Sequence, residues 1–328
     1  MEPGRVLITG ATGFVGQHLV PFLTKRGWPL TLATRSPRNA MSAAAADVRV
    51  VQIGEVGPDT DWTDALDEVW AVVNLAGRAH VMRETTPDPG ALFNRVNADG
   101  AKRLYGAAAA AGVRGFVQIS SIGVLGDVSA PGRPFNDAST PHPHSPYACS
   151  KHAAEETLTA MATEGGPALV ILRLPLLCGA GAKGNLWRLL RLSRRPIPLP
   201  LGGVRNRRSL LSVDNLASAI DAVLQRRRRG AVSGTFVLAD RQVVSTGDIV
   251  AALREGFGMR SMLFPVPGPL LGPALKAAGG TRLATQLLGD LEIDASGFSA
   301  AFGWTPQMTT RACLVETARQ EKLQGDEG

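Results

Sequence analysis

Tyr147 and Lys151 stand four residues apart in the stretch Tyr147-Ala-Cys-Ser-Lys151, and Ser121 precedes them at the end of an apolar, strand-like segment. On a helix, four residues advance the azimuth only about 40° past a full turn, so phenol and ammonium share a face. A free phenol titrates at about 10, and bringing it near neutrality takes roughly three units, or about 4 kcal/mol, of preferential stabilisation of the phenolate. A lysine cation on the same face supplies the right sign of field. Ser121 can hold a substrate oxygen by hydrogen bond while the tyrosine moves a proton. Taken alone, a Tyr and a Lys four apart also describe an ordinary amphipathic helix.

A second motif gives the pair its context. The first strand-like segment ends in Gly10-Ala-Thr-Gly13-Phe-Val-Gly16, and a helical pattern follows at once. Glycines there allow a tight turn, close backbone approach to a pyrophosphate, and close packing of helix on strand, with the phosphate at a helix N-terminus. Gly10, Thr12, Gly13, Phe14, Val15 and Gly16 are therefore expected to bind a dinucleotide. A glycine triplet is weak evidence in isolation and strong evidence at the first strand-to-helix turn of an alternating chain. An oxidised nicotinamide would add its own positive charge beside Tyr147. The second strand ends in Thr34-Arg35-Ser36-Pro37-Arg38, with no carboxylate to hold a ribose 2′-hydroxyl. Arg35 and Arg38 suit bidentate contact with a 2′-phosphate, so NADP(H) is favoured while NAD(H) stays possible. The alternative is that both arginines merely decorate a loop.

These groups need elements to position them, and the N-terminal half supplies strands alternating with helices, the pattern of a parallel α/β sheet. The expected strands are Arg5–Thr9, Leu30–Thr34, Val48–Ile53, Ala71–Ala76, Gly115–Ser120 and Ala168–Leu174. Helices are expected over Phe14–Arg26, Ala91–Ala111 and Tyr147–Thr163. The Gly- and Pro-rich excursions Gly77–Gly90 and Ser121–Pro146 leave the carboxyl ends of strands, where open α/β sheets bind ligands. Pro175–Arg208 reads as an insertion over the ligand, and Val213–Gln225 with Thr235–Ala239 as a helix and strand rejoining the sheet. The expected fold is α/β, a Rossmann-type doubly wound parallel sheet with a smaller C-terminal substrate-binding domain. Residues 1–174, completed by about 209–240, would bind the dinucleotide, and 175–208 with 241–328 the substrate.

At 328 residues, 45% of them hydrophobic, the chain can bury a full core. No leader-like N-terminus and no apolar run of spanning length stand out, so a cytoplasmic location is expected. Three cysteines, Cys149, Cys178 and Cys313, imply neither a disulfide framework nor a zinc site. The net charge of +7 is concentrated in arginines at 188–208 and 226–229 and favours anionic partners. The Arg226–Arg229 run suits a solvated helix C-terminus, with a membrane-surface patch as the alternative. Nucleic acid is not expected, since only 5% of residues are aromatic. His142 and His144 lie in a proline-rich loop without a third ligand, so no metal is expected.

With these motifs in place, the chain resembles the extended short-chain dehydrogenases/reductases of the sugar-nucleotide epimerase/dehydratase group over nearly its whole length. The carriers are the glycine motif, Asn74-Leu-Ala-Gly77, Asn97 in "RVNADG", the serine of "SSIGVLG", "YACSK" and the late "GWTP" at Gly303–Pro306. The resemblance implies Ser121, Tyr147 and Lys151 as catalytic, and Leu75, Ala76, Gly77 and Asn97 near the cofactor along with Tyr147 and Lys151. It implies Arg208 at the nucleotide diphosphate and Asn185 lining the same nucleotide-sugar pocket, with Ser121 on the sugar; His80, in the excursion after the fourth strand, is expected to border the substrate. Two departures matter. Leu125 and Leu176 stand where many epimerases carry tyrosine and asparagine. Ile122 and Gly123 stand where 4,6-dehydratases carry an acidic pair, which argues against water removal.

The leading expectation is NAD(P)H-dependent reduction of a UDP-4-keto-6-deoxy-N-acetylhexosamine for surface polysaccharides. A UDP-sugar 4-epimerase is the nearest alternative. A ketone reductase for a hydrophobic substrate, and a non-catalytic NADP-binding sensor or scaffold, are further ones. A UDP-sugar partner and a homodimer are expected, with peripheral membrane proximity possible.

Overall fold

A computed structural model describes residues 4–36, 47–79, 88–163, 166–266 and 268–326. Its elements run β1 (Arg5–Thr9), α1 (Phe14–Lys25), β2 (Leu30–Thr34), β3 (Val48–Gln52), α2 (Thr63–Leu66), β4 (Val69–Asn74), α3 (Pro89–Asn94), a π-helical turn (Arg95–Asp99), α4 (Gly100–Ala110) and β5 (Gly115–Ser121). They continue with α5 (Pro146–Thr163), β6 (Ala168–Leu174), β7 (Leu176–Cys178), α6 (Gly184–Ser193), β8 (Leu210–Ser212), α7 (Val213–Arg229) and β9 (Gly234–Val237). Helices α8 (Thr246–Gly256), α9 (Gly268–Leu288), α10 (Ser296–Phe302) and α11 (Thr310–Asp326) complete the order.

Seven strands form one parallel sheet in the order β3-β2-β1-β4-β5-β6-β9. Both faces are covered, as the near-continuous apolar strands require. On one face Val6, Ile8, Leu30, Leu32, Val73 and Leu172 pack with Leu19 and Leu23 of α1 and Leu216 and Ile220 of α7. Their alternates Leu7, Ala33, Val72, Phe116 and Ile171 pack on the other face with Leu104 and Tyr105 of α4 and Leu158 of α5. The α/β fold expected from the alternation is therefore the observed one. The strand order reverses between β2 and β4, on either side of β1, which makes the carboxyl ends of β1 and β4 the crevice for a dinucleotide.

Several boundaries differ from the sequence reading. The fourth strand is Val69–Asn74 and ends before Leu75 and Ala76. The helix expected over Ala91–Ala111 is three pieces, because a π-helical turn at Arg95–Asp99 inserts an extra residue and re-aims Asn97 inward. The Arg226–Arg229 run does not follow its helix but forms the last turn of α7, with Arg228 stacked on the Trp28 ring at 4.0 Å. The Pro175–Arg208 stretch holds β7 and α6, and β7 pairs in parallel with β8. Around them α6, α8 and α11 enclose a separate cluster that includes Leu186, Leu190, Leu253 and Leu314.

The cysteines also depart from expectation. Cys178 of β7 and Cys313 of α11 form a disulfide, their Cα atoms 6.3 Å apart and 135 residues separated in sequence, and Cys149 is free and exposed. A pair brought together only by the packing of α11 on β7 leaves no spacing signal. No described helix is long and apolar enough to cross a membrane.

Candidate active site

The end of β1 meets the end of β4 through the glycine turn. Gly10 lies so close to the next strand end that a Cβ there would be 3.0 Å from the Ala76 nitrogen. A Cβ on Gly16 would be 2.3 Å from the Ala11 carbonyl oxygen, so α1 can start this tightly only with glycine. Gly13 caps α1 without a side-chain hydrogen bond, leaving the first-turn N–H groups of the helix for an anion. Phe14 meets His18 edge-on, while Thr12 is exposed at the rim. The turn expected for a pyrophosphate is thus formed, and its fit rests on space that side chains would fill.

A buried polar chain links this turn to β5. The Thr9 hydroxyl donates to Asn74 Oδ1 at 2.6 Å and accepts from the Ala76 N–H at 3.0 Å. Asn74 Nδ2 donates to Gln118 Oε1 at 2.8 Å, and Gln118 Nε2 donates to the Ile119 carbonyl at 3.0 Å. That same carbonyl accepts from Lys151 Nζ at 3.0 Å. Every partner in this run is satisfied, so it fixes the strand ends relative to one another.

Helix α5 carries the expected pair into this corner. Tyr147 is hydrogen-bonded to the Ser121 side chain, and its ring meets Phe93 of α3 edge-on at 6.1 Å. Ser121 Oγ also accepts from the Gly123 N–H at 3.1 Å, which orients the hydroxyl at the end of β5. Asn97 is buried with a full set of partners: Oδ1 accepts from the Arg78 N–H at 2.7 Å, and Nδ2 donates to the Arg78 carbonyl and to Ser150 Oγ at 3.1 and 2.9 Å. Ser150 in turn donates to the Tyr147 carbonyl at 2.8 Å. A Cβ on Gly77 would lie 3.1 Å from Asn97 Oδ1 and 3.2 Å from Lys151 Nζ. Ser121, Tyr147, Lys151, Asn97 and Gly77 are therefore one constellation.

The electrostatics differ from the simple sequence argument. Burial pushes the Tyr147 phenol up to about 12, opposed by the hydrogen bond from Ser121. Burial pushes the Lys151 ammonium down to about 8, opposed by the charge of Glu155 one helical turn further on. Burial therefore acts on the phenol against the lowering that a neighbouring cation would supply. A dinucleotide, when bound, supplies the hydride and, in its oxidised form, a further positive charge.

Glu155, Arg173 and Ser120 are residues that sequence reasoning missed. Arg173 of β6 donates Nε and Nη2 to the Glu155 carboxylate at 3.1 and 2.6 Å, and Ser120 Oγ donates to Glu155 Oε1 at 2.5 Å. Both charges are buried, so each is tolerable only because the other is present. The signal was available: Glu155 continues the four-residue spacing of Tyr147 and Lys151 along one helix face.

The remaining site residues are dispersed. Arg35 is exposed and pairs with Glu55 at 3.1 Å, so a carboxylate absent from the end of β2 arrives from beyond β3. Arg38 and His80 lie outside the described residues. Asn185 is the second residue of α6. Arg208 precedes β8, donates to the Gly289 carbonyl at 2.9 Å and bridges Val244 and Leu291 through its backbone. Its neighbours are otherwise committed: Arg207 is paired with Glu292 at 2.6 Å, and Arg205 donates to the Gly202 carbonyl at 3.1 Å. Leu125 is buried against Ile122, Val237 and Ile293. Among the described residues no group of three or more acidic, histidine or cysteine side chains could hold a metal ion.

Comparison with known proteins shows the family. Residues 6–239 match the NAD-dependent epimerase/dehydratase family. The chain belongs to that family. It is an NAD(P)-dependent enzyme of the short-chain dehydrogenase/reductase type, among sugar-nucleotide epimerases and reductases. A UDP-glucose 4-epimerase from Vibrio cholerae is 33% identical over 319 residues, covering 97% of this chain and 95% of that protein. A ceramide reductase from Caulobacter vibrioides is 30% identical, covering 81% of this chain and 74% of that protein. Among solved structures, MoeE5 in complex with UDP-glucose and NAD superposes with a TM-score of 0.75 at 24% identity, covering 99% of this chain and 100% of that one. At that identity the likeness shows the fold.

Proposed function

We propose that this family member transfers hydride at C4 of a UDP-linked sugar, and that its net reaction is reduction of a 4-keto-6-deoxy-N-acetylhexosamine by NADPH. The observation that carries the reading is the Ser121–Tyr147–Lys151 corner, with the phenol hydrogen-bonded to the serine that would hold the keto oxygen. In this scheme Ser121 positions the oxygen, Tyr147 donates its proton to it, and Lys151, anchored on the Ile119 carbonyl, supplies the positive field that stabilises the phenolate left behind. Gly10, Thr12, Gly13, Phe14, Val15 and Gly16 would hold the cofactor pyrophosphate. Leu75, Ala76, Gly77 and Asn97 would border the nicotinamide half. Arg208 and Asn185 are assigned to the diphosphate and the nucleotide.

Support for consumption of NADPH comes from Arg35, exposed at the end of β2 where no carboxylate stands on the strand itself. Its ion pair with Glu55 is exposed at both partners and exchangeable, since such pairs contribute about 0–1 kcal/mol. The apolar Leu125 and Ile122 beside Ser121 offer no acid or base for removing water.

A second reading, UDP-sugar 4-epimerisation, is favoured by the Vibrio cholerae relative, which matches this chain almost end to end. It needs a cofactor held oxidised through a full cycle. One experiment separates the two: the UDP-4-keto-6-deoxy sugar is supplied with NADPH, and reduced-nicotinamide absorbance is followed with product mass. A gain of two hydrogens with stoichiometric NADPH loss supports the reductase. Interconversion of UDP-hexoses without nicotinamide consumption overturns it in favour of the epimerase.

A further inference from the structure

Remote from the sheet, the chain displays an apolar edge inside a field of positive charge. The segment after α6 lies beside the segment after α8: the Leu199 N–H donates to the Met262 carbonyl at 3.0 Å, and the Phe264 N–H donates to the Leu199 carbonyl at 3.1 Å. Leu199 faces inward with Leu201, Val204 and Val250, whereas Ile197, Met262 and Phe264 are 44%, 41% and 45% exposed. Single exposed apolar residues are ordinary, but three on adjoining backbone segments make a patch.

The patch is held in shape by an unusual device. The Arg254 side chain is fully buried and donates only to backbone carbonyls. On one segment these are Ser193, Arg195 and Ile197, at 3.4, 3.1 and 2.7 Å; on the other they are Ser261 and Met262. One guanidinium thus pins both segments, so the exposed side chains stand on fixed backbone. A buried cation so completely used holds the backbone at Ile197 and Met262 in place.

The surroundings are rich in positive charge, of which Arg207 is compensated by Glu292. Cys178–Val213 and Gly256–Gly289 together contain eleven of the 35 lysines and arginines and none of the 28 acidic residues, so the rest of the chain is net negative. Arg188, Arg191, Arg194, Arg195 and Arg260 are exposed, and no ion pair is formed by them among the described residues. Arg191 also lies 4.7 Å over the ring of Trp187, a side chain suited to a boundary between water and hydrocarbon. Apolar side chains rimmed by arginines match the chemistry of a bilayer surface, with acyl chains beneath negative headgroups. Nucleic acid would satisfy the arginines but not the apolar residues.

We propose that the surface formed by Ile197, Met262 and Phe264, with Arg191, Arg194, Arg195 and Arg260 around it, docks the enzyme on anionic phospholipid membranes. The binding is peripheral, since no described helix can span a bilayer. It does not depend on which sugar is reduced or epimerised.

The test is co-sedimentation of the full chain with vesicles of phosphatidylcholine alone and of phosphatidylcholine with phosphatidylglycerol. The protein is expected to pellet with the anionic vesicles and to be released as salt rises from about 0.1 M to about 1 M, where the Debye length falls to about 3 Å. Met262→Ser with Phe264→Ser should abolish pelleting, and Arg194→Glu or Arg195→Glu should each lower it about fivefold or more. Replacing Arg226, Arg228 and Arg229 should leave it unchanged. Turnover and melting temperature of every variant are measured alongside to show that the fold is intact. Failure to pellet with anionic vesicles overturns the proposal. So does pelleting indifferent to Met262 and Phe264, which is plain polyanion binding. Loss of self-association in the Met262/Phe264 variant without vesicle binding would make this face an interface between copies instead.

Discussion

Lys151 Nζ donates to the Ile119 carbonyl at 3.0 Å, the same oxygen that receives Gln118 Nε2. Helix α5 is thereby tied to the polar chain that begins at Thr9 beside the glycine turn. Strand β1 and the Ser121–Tyr147–Lys151 corner share one frame, in which a displacement of Lys151 would strip a partner from a buried carbonyl.

Tyr147→Phe removes the transferable proton and almost no volume. We expect kcat to fall about 10²- to 10⁴-fold with cofactor affinity roughly unchanged, as read by steady-state kinetics and fluorescence titration of NADPH. Lys151→Ala should damage both quantities. Near-normal turnover by Tyr147→Phe would remove the tyrosine from the mechanism.

The Lys151 pKa of about 8 sets a pH limit. In the proposed scheme its protonated form supplies the field, so kcat/KM for ketone reduction should decline as pH rises through about 8. Glu155 acts in the opposite direction to burial, so neutralising it should move that decline to lower pH. Because Glu155→Gln strands the buried Arg173, the change is made together with Arg173→Met, and the pH profile rather than activity alone is the readout. A profile unmoved by the double variant would show that Glu155 does not bias Lys151.

Cofactor choice should respond to two exposed residues. Arg35→Ala is expected to weaken NADPH about three- to tenfold and leave NADH nearly untouched, with the difference shrinking at high salt. Glu55→Gln frees Arg35 and should tighten NADPH. Equal NADPH and NADH affinities in the unmodified protein would refute the 2′-phosphate assignment.

Gly16→Ala should be costly for a steric reason, because its Cβ would sit 2.3 Å from the Ala11 carbonyl oxygen. Overpacking at such a junction costs about 1–3 kcal/mol, so both Tm and cofactor affinity should fall. Calorimetry with and without NADPH checks this, and an unchanged Tm would mean that the start of α1 has room for a methyl group.

Much of the site was legible because it depends on local spacing. The Tyr147–Lys151 step is a helix step, and the glycine turn lies between one strand and the next helix. The π-helical turn at Arg95–Asp99 was not legible, since an extra residue in a helix leaves the apolar pattern almost intact while redirecting Asn97. The burial that raises the phenol's pKa was not legible for a different reason. That pKa depends on how much water the folded corner excludes, which residue spacing does not report. Glu55 was invisible as a cofactor-side carboxylate because it lies in another strand's exit.

By itself, the sequence determined the alternation of strand and helix, hence a parallel sheet covered on both faces, and with it the places where a glycine turn and a Ser–Tyr–Lys trio had to emerge. Those follow from periods of two and 3.6 residues and from backbone sterics, which act within a few residues. Tertiary structure alone decided the pairings between distant residues: Arg173 with Glu155, Cys178 with Cys313, Arg207 with Glu292, and Arg254 with carbonyls of two separate loops. Such contacts depend on which elements pack together, and a buried charge or thiol finds its partner only once the core has closed around it.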